Sequence, residues 1–303
     1  MRTRTSRVEW PTVIVAGAVY AGWLALLATH HRLPLVGLLA GLGVVGAWHG
    51  SLQHEVIHGH PTPWPRVNTA LAVAPVSLWL PFGTYRTSHL RHHESVLTDP
   101  DDDPESFYVS SQRWRVAGPV ERAYWRAMRT LVGRLVLGPV VRPVAFWAGR
   151  VRACARNAAL LGQTARHLFA VALVLVLVVR VAGMPVWHYV VGVVVVGGAL
   201  SLLRSFVEHR AADDDTLASA VVRSGRFFGL LYLNNNLHLT HHAVPAAPWY
   251  ALPRLTAALE TEDIAARGAG LYRGYAEVWR RFALHPFAPP VHPLAADARA
   301  GIP

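Results

Sequence analysis

Apolar runs of nearly bilayer length, arranged in two pairs with a tight polar turn inside each pair, constrain this chain more than any other feature. Residues 10–29 and 33–53 form the first pair, turning at His30, His31, Arg32 and Pro34; residues 167–182 and 185–204 form the second, turning at Arg180, Gly183 and Pro185. A membrane helix needs about 20 mostly apolar residues, so each pair reads as a helical hairpin across a membrane. Hydrophobic residues make up 52% of the 303 and charged residues only 16%, a membrane balance. The N-terminal run follows Arg2, Arg4 and Arg7 without a small-residue cleavage site, and further runs come after it, so it reads as a retained span.

The basic residues give the orientation. All 29 are arginines. Arg2, Arg4 and Arg7, the thirteen from Arg66 through Arg156, and those after Arg204 fall on one side of the proposed spans, with only Arg32 and Arg180 on the other. The positive-inside rule then expects both termini, and segments 54–166 and 205–303, on the cytoplasmic side. Residues 71–82 are apolar but short and contain Pro75 and Pro81, which suits a re-entrant or interfacial piece. Residues 113–166 mix arginines with aromatics, offer no window clean enough to span, and read as helix lying in the headgroup layer. The expected fold is all-α and integral to the membrane: a single domain over 1–303 with four transmembrane helices, interfacial helices and a cytoplasmic cap, ending in a Pro- and Ala-rich tail of little periodicity. The arginines are topology and headgroup signals, and no motif points to nucleic acid. Cys154 is the only cysteine, which excludes an intramolecular disulfide, a C-x-x-C metal site and a cysteine-ligated cluster.

Three histidine clusters stand at the cytoplasmic ends of these runs: His54 with His58, then His89, His92 and His93, then His238, His241 and His242. On a helix, positions i, i+3 and i+4 share a face, so each cluster aims its imidazoles at one point. Topology and spacing, read independently, bring eight imidazoles to one side of the membrane, and that means metal. The stretch from His54 to His58 also matches the H-E-x-x-H of zinc proteases. Such a site takes three protein ligands, which leaves the other two clusters without work. A non-catalytic metal-binding or transport protein is disfavoured because no ionisable chain crosses the bilayer.

The pattern His54-x-x-x-His58, His89-x-x-His92-His93, His238-x-x-His241-His242 resembles the membrane fatty acid desaturase and hydroxylase superfamily, in particular compact bacterial desaturase-like proteins labelled hydrocarbon oxygenases. The resemblance covers the chain from the first span to about Pro253. It implies two iron ions held between the histidine boxes, O2 as co-substrate, and oxidation of an unactivated C–H bond in a fatty-acyl or long alkyl chain. It further implies a ninth ligand, His209, at the end of the fourth span. The leading expectation is a desaturase. Three residues separate His54 from His58, as in alkane hydroxylases, where acyl-CoA desaturases commonly have four, so hydroxylation and alkene-forming decarboxylation stay open. These outcomes differ in what the substrate radical does next, which follows from its pose.

Around the ligands, His60 is expected in an outer-shell or loop role, Glu55 either orienting an imidazole or facing solvent, Asp99 accepting from a ligand N–H, and Asn235 holding a metal-bound water. Trp48 and Trp79 are candidate walls of a substrate tunnel. With no electron-carrier segment in the chain, a separate ferredoxin, rubredoxin or reductase is expected, an acidic carrier being drawn to the arginine-rich face.

Overall fold

The computed structural model describes residues 7–293. It is mostly helical. In chain order the helices are α1 (Trp10–Thr29), α2 (Leu35–Ile57), α3 (Pro65–Ala72), α4 (Phe82–His92), α5 (Ser111–Val116), α6 (Pro119–Ala127), α7 (Leu131–Cys154), α8 (Ala158–Val176), α9 (Val186–Val190) and α10 (Gly197–Arg204). After them come strand β1 (Val221–Val222), α11 (Arg226–Leu231), α12 (His238–Ala243), α13 (Leu252–Ala258), α14 (Thr261–Arg267), strand β2 (Leu271–Tyr272) and α15 (Tyr275–Phe282).

Among the described residues, five helices are long and apolar enough to cross a membrane: Trp10–Arg32, Leu35–Ile57, Leu131–Cys154, Ala158–Val181 and Val186–Arg204. Four overlap the runs read from the sequence, although the third starts at Ala158, earlier than residue 167. The fifth, α7, corrects the reading that residues 113–166 hold no eligible window. Its arginines and its two internal prolines, Pro139 and Pro143, look too many when counted, yet the arginines lie far enough apart to leave long apolar stretches between them. Arg150 is buried and bonded to Thr164 Oγ1 at 2.9 Å, so part of that charge is met by protein.

The chain divides into two compact units, Met1–Arg86 with Gly138–Ser201, and Thr87–Leu137 with Leu202–Pro303. In the first, α1 and α2 form a hairpin whose turn is tied down where His30 Nε2 lies 3.0 Å from the carbonyl oxygen of Ala182. Small residues let α2 press against the helix that runs from Val186. A Cβ on Gly192 would stand 2.5 Å from Leu42 Cβ, and one on Gly46 would stand 3.2 Å from Val193 O. Such close backbone approach is how membrane helices gain packing energy where lipid removes the hydrophobic drive. At the same place the Val186 helix widens into π-helical turns over Val191–Val196. Val36, Phe169, Leu173 and Val181 are exposed around this unit; helices that present such faces suit lipid as their solvent.

Residues 73–81 are not helical, and their carbonyls, with those at the end of α3, are met by side chains from the long helices. Tyr20 Oη donates to Leu71 O at 2.7 Å, Gln53 Nε2 to Ala72 O at 2.8 Å and Tyr189 Oη to Val76 O at 2.8 Å, while His167 Nε2 lies 2.8 Å from Leu78 O. Irregular backbone at membrane depth is tolerated only with this kind of internal satisfaction. Trp23 Nε1 donates to Tyr189 Oη at 3.0 Å, which locks the tyrosine in place.

In the second unit β1 and β2 pair in parallel, Val221 with Leu271 and Val222 with Tyr272. Val221, Leu237, Leu239, Leu252 and Ala265 close a small core against that ribbon. α12 is pinned to it by Thr240 Oγ1, 2.7 Å from both Thr256 Oγ1 and Thr261 Oγ1. The tail expected to lack periodicity instead contains α13 to α15. These helices are only seven or eight residues long, too short for an apolar stripe to stand out in the sequence.

Candidate metal centre

In the second unit two histidine boxes and His209 converge. His89, His92 and His93 occupy the last turn of α4 and the residue after it, and His238, His241 and His242 lie on α12. His209 follows α10. It is set by a short antiparallel bridge to Ser219, with Ala220 N donating to Glu208 O at 2.9 Å and Arg210 N to Ala218 O at 2.9 Å. One nitrogen from each of His92, His209, His238 and His242 lies within 4.8 Å of the others. His209 Nε2 is 3.1 Å from His92 Nε2 and 2.8 Å from His238 Nε2, which is 3.2 Å from His242 Nε2. Beside them His93 Nε2 lies 3.1 Å from both His89 Nε2 and His241 Nε2.

The opposite nitrogens are held from outside. His92 Nδ1 is 2.8 Å from Asp103 Oδ1, His89 Nδ1 3.3 Å from Glu105 Oε2, His209 Nδ1 3.1 Å from Ser219 Oγ and His238 Nδ1 3.1 Å from Asn235 Oδ1. A neutral imidazole has one N–H and one lone pair. Where Nδ1–H is given to an outer acceptor, the Nε2 lone pair points inward, and several lone pairs about 3 Å apart repel unless a cation lies among them. Metal–nitrogen bonds of about 2.1 Å put neighbouring donors about 3.0 Å apart at right angles and about 3.4 Å apart in a tetrahedron, so the spacing here fits metal coordination. An all-imidazole set suits iron, copper, nickel or zinc.

Electrostatics keep His93, His209, His238 and His242 in their binding form. Burial, then neighbouring imidazoles, push His209, His238 and His242 well below the ordinary histidine range, and burial with His89 and His92 takes His93 down to about 3. At His92 burial pulls the same way but is outweighed by the hydrogen bond to Asp103 and by the charges of Glu105, Asp103 and Glu208, which raise it. The pH dependence of the metal-free protein follows. Four groups have folded pKa values below the unfolded one, so on acidification the unfolded chain takes up protons first, whereas His92 alone works the opposite way. Stability is fully present above the ordinary histidine range and is lost progressively as pH falls from about 6.5 toward the depressed folded values. Thermal unfolding of apo-protein in detergent should show a falling midpoint from about pH 7.5 to 5.5; a flat profile would refute the burial argument.

In the first unit, His54 and His58 close α2 with ring centroids 4.8 Å apart. The turn behind them is stapled by Asn68, whose Nδ2 donates to Gly59 O at 2.9 Å and Thr62 O at 2.8 Å. Gly59 has φ +104°, a conformation that favours glycine. Glu55 is buried instead of facing solvent, and His60 Nδ1 lies 2.9 Å from Glu9 Oε1, below the first box. Trp48 and Trp79 are half-buried, Trp79 standing edge-on to Phe146 at 5.8 Å.

Sequence reasoning misses Ser219, Asp103 and Glu105. Within the acidic run it points to Asp99, but Asp99 instead accepts from Asp101 N at 2.9 Å within its own loop. No local pattern distinguishes these carboxylates. Asn235 meets His238 as an acceptor for its Nδ1.

Residues 28–276, which include every histidine named above as a ligand, match the family model described as fatty acid desaturase. The chain is also 29% identical, over 153 residues, to a beta-carotene ketolase of Paracoccus sp. (strain N81106 / MBIC 01143), covering 45% of this chain and 62% of the ketolase. The matched region thus falls short of two thirds of that relative's length.

Proposed function

The chain belongs to the fatty acid desaturase family, and from that premise we propose that it is an O2-dependent membrane oxidoreductase that oxidises an unactivated C–H bond of a fatty-acyl or long alkyl chain by desaturation. The observation that carries this is the inward convergence of Nε2 atoms on rings whose Nδ1 atoms each meet an outer polar partner. His92, His209, His238 and His242 would hold one iron; His89, His93 and His241, with His54 and His58, would provide for a second. Two irons in an all-imidazole site would supply the O2 activation that redox-inert zinc does not.

The protein's own contribution is positional. Asp103 holds the His92 ring, Glu105 the His89 ring, Ser219 the His209 ring and Asn235 the His238 ring, and such partners set ring orientation and basicity. Trp48 and Trp79 would line the substrate path. Electrons would come from a separate ferredoxin, rubredoxin or reductase. A second reading, oxygen insertion into a long apolar substrate, is favoured by the ketolase relative and by the three-residue spacing within the first box. Turnover under ¹⁸O2 separates the two: desaturation leaves the organic product without label, while insertion puts ¹⁸O into it, and a labelled product would replace the first reading with the second.

For topology we propose that α1, α2, the helix Ala158–Val181 and the helix Val186–Arg204 cross a bacterial inner membrane, with both termini and the histidines on the cytoplasmic side, while α7 lies in the headgroup layer. Val136, Val140 and Val144 expose one apolar stripe of α7, and Arg142 and Arg152 lie off that stripe. The match over 28–276 supports treating the chain as one domain. Cysteines placed at Arg113 and Arg156 of a Cys154→Ser protein should then label from the same side; labelling from opposite sides would make α7 a fifth span.

A further inference from the structure

The second unit contains a run of contacts that begins near the end of the described chain and finishes on a ligand histidine. Phe287 N donates to Arg129 O at 2.8 Å, and Arg129 Nε to Ala288 O at 3.1 Å. Val109 N donates to Pro290 O at 2.9 Å, and His292 N to Val109 O at 3.2 Å. These bonds lay residues 287–292 down as a strap along Val109. The strap delivers one buried ring, His292, whose Nε2 lies 2.9 Å from Thr98 Oγ1 and whose edge meets Tyr108 at 5.0 Å between centroids.

Thr98 is itself out of the ordinary. It is buried, β-branched and held at φ +70°, a region such residues rarely enter. Conformations of this kind persist where the surroundings over-determine them. Here the surroundings are His292 on the hydroxyl and Ser106 Oγ on the carbonyl at 2.5 Å. In that conformation Thr98 N donates to Asp103 Oδ2 at 3.0 Å, and the other oxygen of the same carboxylate lies 2.8 Å from His92 Nδ1. A carboxylate fixed at one oxygen has lost the rotation that would let its second oxygen leave the imidazole.

We propose that His292 is a positioning residue for the metal centre: acting through Thr98 and Asp103 it fixes the ring of His92, and so secures the metal held by His92, His209, His238 and His242 in preference to its neighbour. This rests on the reading of that cluster as a metal site. Without the imidazole, Thr98 relaxes from the left-handed region and its N–H leaves Asp103 Oδ2, so the carboxylate, kept only by Glu105 N on Oδ1 at 2.8 Å, orients His92 less firmly.

The test is iron release from the full-length protein, loaded with ⁵⁷Fe(II), to a coloured chelator, with Mössbauer spectra of the same samples. Loss of an outer partner of a ligand costs about 10- to 100-fold in metal affinity. His292→Ala, acting three contacts from His92, is expected to speed one release phase about tenfold and shift one quadrupole doublet, leaving the other phase and doublet unchanged. Thr98→Val, which keeps the strap's ring and removes the hydroxyl, should do the same if the alanine variant folds poorly. His292→Gln, which can still reach the hydroxyl, should restore most of the retention. In an Asp103→Asn background His292→Ala should add less than about twofold, since the effect passes through Asp103. Equal acceleration of both phases, no acceleration, or the same factor in both backgrounds overturns the proposal while leaving the metal site standing. A wild-type protein that takes up no iron overturns both.

Discussion

His238→Ala should abolish turnover, by roughly 10³-fold or more, equivalent to about 4 kcal/mol of barrier. His238 is buried, its Nε2 is the nearest donor to His209 at 2.8 Å and lies 3.2 Å from His242, so its loss opens the middle of the set. Its Nδ1 also meets the buried Asn235 Oδ1 at 3.1 Å, so alanine removes a polar partner behind the site as well. Metal content and O2-dependent substrate oxidation should fall together while helicity by circular dichroism is kept. Activity within about tenfold of wild type would remove His238 from the ligand set.

Gly192→Leu should severely damage the packing of the long helices. Even a bare Cβ there would stand 2.5 Å from Leu42 Cβ, a distance that real Cβ atoms do not show, and the atom it meets is next to backbone. The helices must separate, which forfeits the close approach at Gly46 as well. Overpacking costs about 1–3 kcal/mol in tolerant cores, and about 3 kcal/mol or more is expected where two backbones are already in contact. Little folded protein should be recovered in detergent, whereas Gly17→Leu, at a position with open space around it, should be recovered normally. Equal recovery of the two variants would count against the close-packed interface.

The histidine boxes were legible because their chemistry is written in local spacing: residues three and four apart on a helix converge whatever surrounds them. The long helices were legible for a similar reason, since twenty apolar residues have few other solutions. The apolar length of α7 was missed because its arginines were counted without regard to burial, and that Arg150 is buried against a hydroxyl is a fact of tertiary packing. Asp103 and Glu105 could not be told from Asp99 by sequence, because the choice depends on a loop in which Thr98 turns left-handed and Asp103 N folds back onto Asp99 O. Ser219 reaches His209 only through a backbone bridge that no periodicity announces. The short helices of the C-terminal part owe their form to the core around Val221 and Leu252 more than to their own pattern.

Metal analysis of protein purified from iron-replete cells, with His238→Ala beside it, tests the central claim most directly. The account predicts about two irons per chain in the wild type and a loss of at least one in the variant. About one zinc per chain, unaffected by the substitution, would contradict it and leave His54-Glu55-Val56-Ile57-His58 as a self-contained zinc site.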